Sequence, residues 1–406
     1  MMIEPKLRFK ADDGSDFPDW EEQKIEDVCV LNPRTEQLDD EFYYMDLGSI
    51  DHGRWEAPEI VNKVDAPSRA QRVAAIDDVF FQSVRPYNMG HYHYVAAKDK
   101  QVVASTGYIQ ARMRNGSNAF LYQLFYEERF NAEVNARCTG SNYPAINSRK
   151  FGEITVALPS LPEQRKIADL LSAVDDVIAA QEAEVAAWEK RKKGVMQKLF
   201  SQEVRFKADD GSEFPEWEEK TLGDLGRLRN GYAFKSDTYV PHGKYRVITI
   251  ANVQGERYVT ELERANTVNQ IPDNIASWQI LKESDILISL TGNIGRVSLN
   301  TGCDNLLNQR VGLFEVFSPI SDRQWVFQRL SANDFRNAME GEGQGAAQKN
   351  ISRGDVESFP LSVPSLPEQR KIADCLTSLD DVIAKAKDEL DAWRELKKGL
   401  LQQMFV

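Results

Sequence analysis

The eleven residues PSLPEQRKIAD at 159–169 recur unchanged at 364–374, and the likeness runs on through VDDVIA/LDDVIA to KKGVMQKLF/KKGLLQQMF at a constant offset of 205. A second repeat lies upstream of each copy. RFKADDGSDFPDWEE at 8–22 returns at 205–219 as RFKADDGSEFPEWEE, now at an offset of 197. Between these matched ends, 29–157 and 226–360 share almost no identity. Uniform drift after duplication would not leave two blocks nearly untouched beside inserts that have lost all likeness, so block and insert have different roles. The reading is six segments: a constant segment 1–28, a variable domain 29–157, a constant helix 158–202, a constant segment 203–225, a second variable domain 226–360 and a final constant helix 361–406.

The longer repeat opens on a helix-start pattern. Ser160 with Glu163, and Ser365 with Glu368, have the capping-box spacing, in which the serine accepts an early N–H and the glutamate reaches back. Proline at 162 and 367 is harmless there, because first-turn N–H groups have no helical acceptor. Apolar residues then follow spacings of three, four and seven: Ile167, Leu171, Val174, Val185, Trp188 and Leu199 in one copy, Ile372, Leu376, Leu379, Leu390, Trp393 and Leu400 in the other. About 38 residues at 1.5 Å each make a rod of roughly 57 Å, too long to bury its stripe against itself. The matching stripe on the other copy is the natural partner, and tandem halves make the pair antiparallel. The alternative is two helices each lying on its own domain.

The inserts have another texture. Short β-rich runs at 79–84, 101–106 and 108–113, and again at 245–253, 284–290, 297–299 and 311–317, are divided by Gly, Asn and Pro turns; helical stretches follow near 118–135 and 322–340. The expected fold is therefore α+β: two compact α+β domains and a coiled-coil spacer, related by a pseudo-twofold axis.

Composition sets limits. With 406 residues, 42% hydrophobic and 10% aromatic, the chain is globular and of more than one domain. No window approaches the roughly 18 apolar residues of a membrane span, and the first residues contain no signal-like apolar run, so a cytoplasmic location is expected. Cys29, Cys138, Cys303 and Cys375 are too scattered for a disulfide framework or zinc knuckle. The net charge of −13 opposes nucleic-acid binding, yet it is unevenly spread: the inserts carry −2 (29–157) and 0 (226–360), while 1–28 and 158–225 carry −5 each.

A search for catalytic patterns ends without one. There is no GxxxxGK[ST], no GxSxG and no adenine-methyltransferase pattern; Pro18-Asp19 with Glu22 and Lys24 only imitates a nuclease set, and its second copy has Glu216 and Thr221 instead. His91 and His93, with His52, lack the further ligands a metal needs, and Gly341-Glu342-Gly343-Gln344-Gly345 follows a helix-like stretch, unlike a dinucleotide loop. No catalytic residue, metal or cofactor is assigned to this chain.

What the inserts hold is a set of residues suited to base edges and phosphates. In the second these are Tyr232, Lys235 and Ser236 of GYAFKS, Asn293 and Arg296 of TGNIGR, Gln309 and Arg310 of LNQRV, and Gln348, Lys349 and Asn350 of AQKNIS. Forked amides suit adenine, arginine suits guanine, and lysine suits phosphate. In the first, the candidates are Arg85, Tyr87 and Asn88 of RPYNMG, Tyr108, Gln110 and Arg112 of YIQARM, and Tyr143 and Asn147 of YPAIN.

The repeated PSLPEQRKIAD before a long helix, with GYAFKS, LTGNIGR, LNQRV and AQKNIS, resembles the specificity subunits of type I restriction-modification enzymes over nearly the whole chain. The resemblance implies that each insert reads one half of a split, asymmetric double-stranded DNA site. It implies that the helices set the gap and bind two modification subunits, which use S-adenosylmethionine on adenine, and that restriction subunits add ATP- and Mg2+-dependent work. The rival reading is a non-catalytic adaptor with two protein-binding domains on a coiled-coil spacer.

Overall fold

The structure is a computed structural model that describes residues 5–34, 37–51, 53–318, 320–342 and 350–405. The chain divides into two compact units, one of Met1–Glu182 with Asp388–Val406, the other Ala183–Lys387. Leu161–Phe200 and Leu366–Met404 are unbroken helices of 40 and 39 residues, and each contributes residues to both units.

In the first unit, entry to and exit from the insert are closed by an antiparallel clip, Glu21–Lys24 against Thr155–Leu158. Among its described residues the insert holds two four-stranded sheets, besides the short pair Ile50–Asp51 and Arg54–Trp55. One sheet runs Cys29–Leu31, Tyr108–Met113, Asp78–Gln82, Tyr92–Tyr94; the other runs Glu59–Asn62, Glu41–Met45, Val102–Ser105, Ala70–Val73, with the middle pair parallel. Strand alternation builds two cores at once. Val79 and Phe81 pack with Ile109, Ala111 and the helices Asn118–Leu124 and Glu128–Arg137, while Phe80 and Tyr108 face the second sheet.

The second unit repeats this plan with other residues. Its clip is Glu218–Thr221 against Pro360–Val363. Its sheets run Gly226–Asn230, Val311–Val316, Ile286–Ser289, Val297–Leu299 and Asn266–Val268, Tyr245–Ile248, Asn305–Leu307, Ile280–Leu281. Ile286 and Ile288 pack toward the helix Arg323–Leu330, and Leu287 packs toward the second sheet. Two inserts with almost no identity thus share one sheet order. The runs expected at 79–84, 108–113, 284–290, 297–299 and 311–317 are strands within a residue or two, whereas the run at 245–253 stops as a strand at Ile248.

Within each unit the two long helices run antiparallel. In the first, Asp175 pairs with Lys397 at 2.6 Å and Glu182 with Arg394 at 2.8 Å; in the second, Glu189 pairs with Lys387 at 2.8 Å and Lys192 with Asp380 at 2.6 Å. As one helix advances, its partners on the other retreat. Ile167, Val174, Val185, Ile372 and Leu390 are buried, and Leu379, Trp188 and Trp393 are half-buried. Val177, Val382 and Leu396 of the apolar stripe are more than a third exposed. The first turns also lie on their own units: Ile167 and Leu171 join the first core, Ile372 and Leu376 the second.

The capping boxes expected at Ser160 and Ser365 do not form. Glu163 is buried and bound by Arg8, whose Nε and Nη2 donate to its two carboxylate oxygens at 3.0 and 2.9 Å; Ser160 Oγ has no partner among the described residues. Arg205 treats Glu368 in the same way at 3.1 and 2.9 Å, and Ser365 Oγ has no partner among the described residues. A fork of two donors on a desolvated carboxylate outcompetes one backbone N–H, a tertiary preference invisible in the local pattern. Each arginine also donates to two carbonyls of its own segment, those of Phe17 and Pro18 or of Phe214 and Pro215.

This arginine holds the N-terminal segment to the first unit as chain continuity holds 205–219 to the second. The backbone N–H of Leu7 donates to the carbonyl of Gln403 at 2.9 Å, and Phe405 sits edge-on to Trp20 and stacked on Phe120. Where the chain runs covalently from Phe200 to Arg205, the first unit substitutes packing of 5–22 beside the end of the C-terminal helix.

Candidate nucleic-acid interface

In the second unit, backbone hydrogen bonds gather the polar loops onto one sheet end. The N–H of Tyr232 donates to the carbonyl of Leu307 at 2.7 Å, and that of Gln309 to the carbonyl of Tyr232 at 2.9 Å. Gly231 is required there, because a Cβ would lie 2.1 Å from the carbonyl oxygen of Asn308. From the adjacent strand, the N–H of Leu290 donates to the carbonyl of Arg310 at 3.0 Å and that of Ile351 to the carbonyl of Leu290 at 3.0 Å, while Thr291 bridges Asn350. The TGNIGR loop turns through Gly292 and Gly295, both at positive φ. Tyr232, Asn293, Gln309, Arg310 and Asn350, far apart in sequence, therefore share a neighbourhood.

Their side chains differ in exposure. Lys235, Ser236, Asn293, Gln309, Arg310 and Asn350 are exposed. Arg296 is half-buried, with Nη1 on the amide oxygen of Gln254, and Tyr232 donates its hydroxyl to Asn274 Oδ1 at 2.8 Å. Gln348 and Lys349 lie outside the described residues, as does His52. Two residues that sequence reasoning missed adjoin the cluster: Trp278, 38% exposed, carries the guanidinium of Arg229 at 4.6 Å, and neighbouring Gln279 donates to the carbonyl of Asn230 at 3.1 Å. A tryptophan in the turn-rich IPDNIASWQ was the available signal. Arg227 and Arg229 flank Glu315, and the Arg227 hydrogen bond foremost holds its carboxyl down to about 2.

The first unit builds the corresponding place differently. The N–H of Arg85 donates to the carbonyl of Pro144 at 2.7 Å, and that of Ile146 to the carbonyl of Ser83 at 3.0 Å, joining RPYNMG to YPAIN. Arg85, at φ 51, lays its guanidinium on the exposed ring of Tyr143 at 4.2 Å, beside the exposed Tyr87 and Asn88. A left-handed arginine is a strained backbone that the flanking pairings hold.

Of the remaining first-insert candidates, burial corrects Tyr108 and Gln110, while Arg112 and Asn147 are engaged within the chain. Tyr108 is fully buried and donates to the carbonyl of Asp46 at 3.0 Å; Gln110 is buried and donates to Asp78 at 2.7 Å and to the carbonyl of Val73 at 2.9 Å. Both point into the space between the sheets, so neither side chain is available to a ligand. The alternating polar face of YIQARM looked like a surface because the second sheet that covers it comes from elsewhere in the chain. Arg112 at the strand's end is half-exposed but tied to buried Asp78 at 2.7 Å. Asn147 spends its Oδ1 on the N–H of Lys150, capping the helix Ser148–Gly152.

His91 is fully buried, stacked on Phe81, and accepts the N–H of Gln82 at Nδ1; burial pushes its pKa down to about 3. Such a ring is core. Among the described residues no group of three His, Cys, Asp or Glu is placed to hold a metal, and no helix is long and apolar enough to cross a membrane.

Residues 18–187 and 215–392 match the type I restriction modification DNA specificity domain. Relatives of similar sequence include the MjaVIII specificity subunit of a type I restriction enzyme from Methanocaldococcus jannaschii, 27% identical over 75% of this chain and 74% of that protein. The EcoDI specificity subunit from Escherichia coli is 23% identical over 70% and 69%. Among solved structures, the type I restriction-modification S subunit from M. genitalium covers all of this chain and 99% of its own at 16% identity and TM-score 0.59. A chain from a structural study of assembly and conformational transition in the type I R-M system covers 96% and 98% at 21% identity and TM-score 0.56.

Proposed function

We propose that this chain, which belongs to the family of type I restriction-modification DNA specificity domains, addresses a methyltransferase complex to a split DNA site, each unit reading one half. The observation that carries this is the pairing of one shared architecture with two unlike loop clusters: the same sheet order presents Arg85, Tyr87, Asn88 and Tyr143 in one unit and Asn293, Gln309, Arg310 and Asn350 in the other. Different side chains on one scaffold suit different half-sites in one orientation. Lys235 suits a phosphate, which positions; the amides and arginines suit base edges, which specify.

The long helices join the units and offer their exposed stripe residues, Val177, Val382 and Leu396, to two modification subunits. The chemistry belongs to those partners and to restriction subunits, which use S-adenosylmethionine, ATP and Mg2+; this chain supplies the address, in the cytoplasm. An adaptor that binds only proteins is disfavoured by the family match. Methylome sequencing of a host carrying this chain with its modification subunit should return one bipartite motif. A host with no new methylation, and an assembled complex with no salt-dependent duplex affinity, would refute the reading.

A further inference from the structure

The variable inserts share one polar attachment to the constant helices. Each insert contains a helix that packs on the frame, Asn118–Leu124 in one and Arg323–Leu330 in the other. Over the eight positions from the N-cap, SNAFLYQL at 117–124 and DRQWVFQR at 322–329 agree at a single residue, the glutamine at 123 and 328. Both glutamines are buried, at 0% and 1% exposure. Gln123 Nε2 donates to Asp175 Oδ2 at 2.9 Å, and Gln328 Nε2 to Asp380 Oδ2 at 2.6 Å. The other oxygen of each aspartate takes a lysine from the opposite long helix, Lys397 or Lys192, at 2.6 Å.

A second contact accompanies each one. The frame residue Gln164 accepts at Oε1 the backbone N–H of Ser117 at 2.9 Å, and Gln369 accepts that of Asp322 at 2.8 Å. Each frame glutamine is held by donating its own Nε2 to a frame carbonyl, Pro159 or Pro364, at 2.9 Å. The two frame acceptors are eleven residues apart in both copies, three helical turns on one face, and the two insert donors are six apart in both. Two anchors at different points along a helix fix its direction as well as its position. The glutamine amides cannot be turned round, since that would set Oε1 against a carboxylate; among the described residues their Oε1 atoms have no partner, and the donor end is the one engaged.

We propose that Gln123 and Gln328 are positioning residues: with the Asp–Lys pair across the two long helices, each sets the angle at which its insert sits on the frame, and hence the gap length the assembled enzyme accepts between half-sites. Apolar packing alone holds such a helix without specifying its rotation, whereas a buried amide facing a carboxylate has one satisfied arrangement. This inference rests on the proposed DNA-reading function.

The test uses the full chain assembled with its modification subunit, on duplexes carrying the motif read by methylome sequencing, with the gap at natural length and one base pair shorter or longer. Gln328→Glu places a second carboxylate against Asp380; Gln328→Glu with Asp380→Asn reverses donor and acceptor and restores the bond; Gln328→Met removes the donor without adding charge. The preference for the natural gap should fall about tenfold or more in the two single variants, with both half-motifs still required, and return in the double variant. If Gln328→Glu does not fold, Gln328→Met carries the comparison with wild type. An unchanged gap preference in folded single variants, or a double variant no better than Gln328→Glu, overturns the joint while leaving the DNA-reading function intact. A wild-type complex that methylates none of the duplexes overturns both.

Discussion

Replacing Gln309 or Arg310 by alanine separates reading from positioning most cleanly. Both side chains are exposed. Their removal should therefore leave thermal stability within about 0.5 kcal/mol of wild type, the usual range for surface changes away from special features. A bidentate contact to a base edge contributes about 1–3 kcal/mol, so cognate affinity should drop roughly 5- to 150-fold, while affinity for a duplex already changed at that base pair should hardly move. Arg296 should behave differently, because Nη1 already rests on Gln254 in the free protein. Engaging DNA means exchanging that hydrogen bond, which is itself worth about 0.5–1.5 kcal/mol, so Arg296→Ala should lose less affinity than Arg310→Ala and should lower stability as well. Lys235 is exposed at the start of a one-turn helix, and Lys235→Ala should weaken all duplexes alike and reduce the salt slope by about one ion. Anisotropy titrations of the assembled methyltransferase against cognate and single-base-changed duplexes, at several salt concentrations, measure all of this. Equal loss on every duplex for both Gln309→Ala and Arg310→Ala would refute the base-reading assignment.

Arg8→Ala leaves buried Glu163 without its partner, a loss of about 3 kcal/mol at the lower end for a broken buried pair because Arg8 keeps 21% side-chain exposure. Hydrogen exchange should show 8–20 released more fully than 205–217 in Arg205→Ala, since the latter segment stays tethered at both ends; equal release would contradict the packing described for the first unit. Exchanging 29–157 for another family member's insert should change one half of the methylated motif, and a change in both halves would defeat the modular reading. His91, with a folded pKa near 3 against an ordinary 6.5, stays neutral while the unfolded chain takes up a proton. Stability should therefore be full above about pH 6.5 and fall as pH drops toward 3, and His91→Phe should flatten that slope between about 6.5 and 4.5, above the window in which Glu315, held down to about 2, contributes. A wild-type slope that persists in the variant would assign the titration elsewhere.

Legibility varied with how local the determining interactions are. The strand Asp78–Gln82 was visible as an apolar run, and so was the helix Arg323–Leu330, because short-range periodicity reports backbone state. The loops TGNIGR and LNQRV were visible because glycine and amide turns are local chemistry. Tyr108 and Gln110 were misread because their strand alternates in polarity, and alternation identifies two faces without saying what covers the polar one. The covering sheet includes Glu41–Met45 and Val102–Ser105, brought beside each other as parallel neighbours that no hairpin signal announces. Ser160 and Glu163 were misread because the helix-start pattern is real, but a forked arginine 155 positions away takes the carboxylate.

By itself the sequence determined the tandem frame, the two long helices and the α+β character of the inserts, since repeats and periodicities are properties of the chain that survive any placement in space. Only the tertiary structure decided that unlike inserts share one sheet order, that Arg8 and Arg205 hold Glu163 and Glu368, and that Asp175 and Asp380 each receive a lysine from one helix and a glutamine from an insert. Those are long-range choices among competing partners. A buried carboxylate accepts whichever donors desolvation and packing bring to it, and no local pattern records which donors those will be.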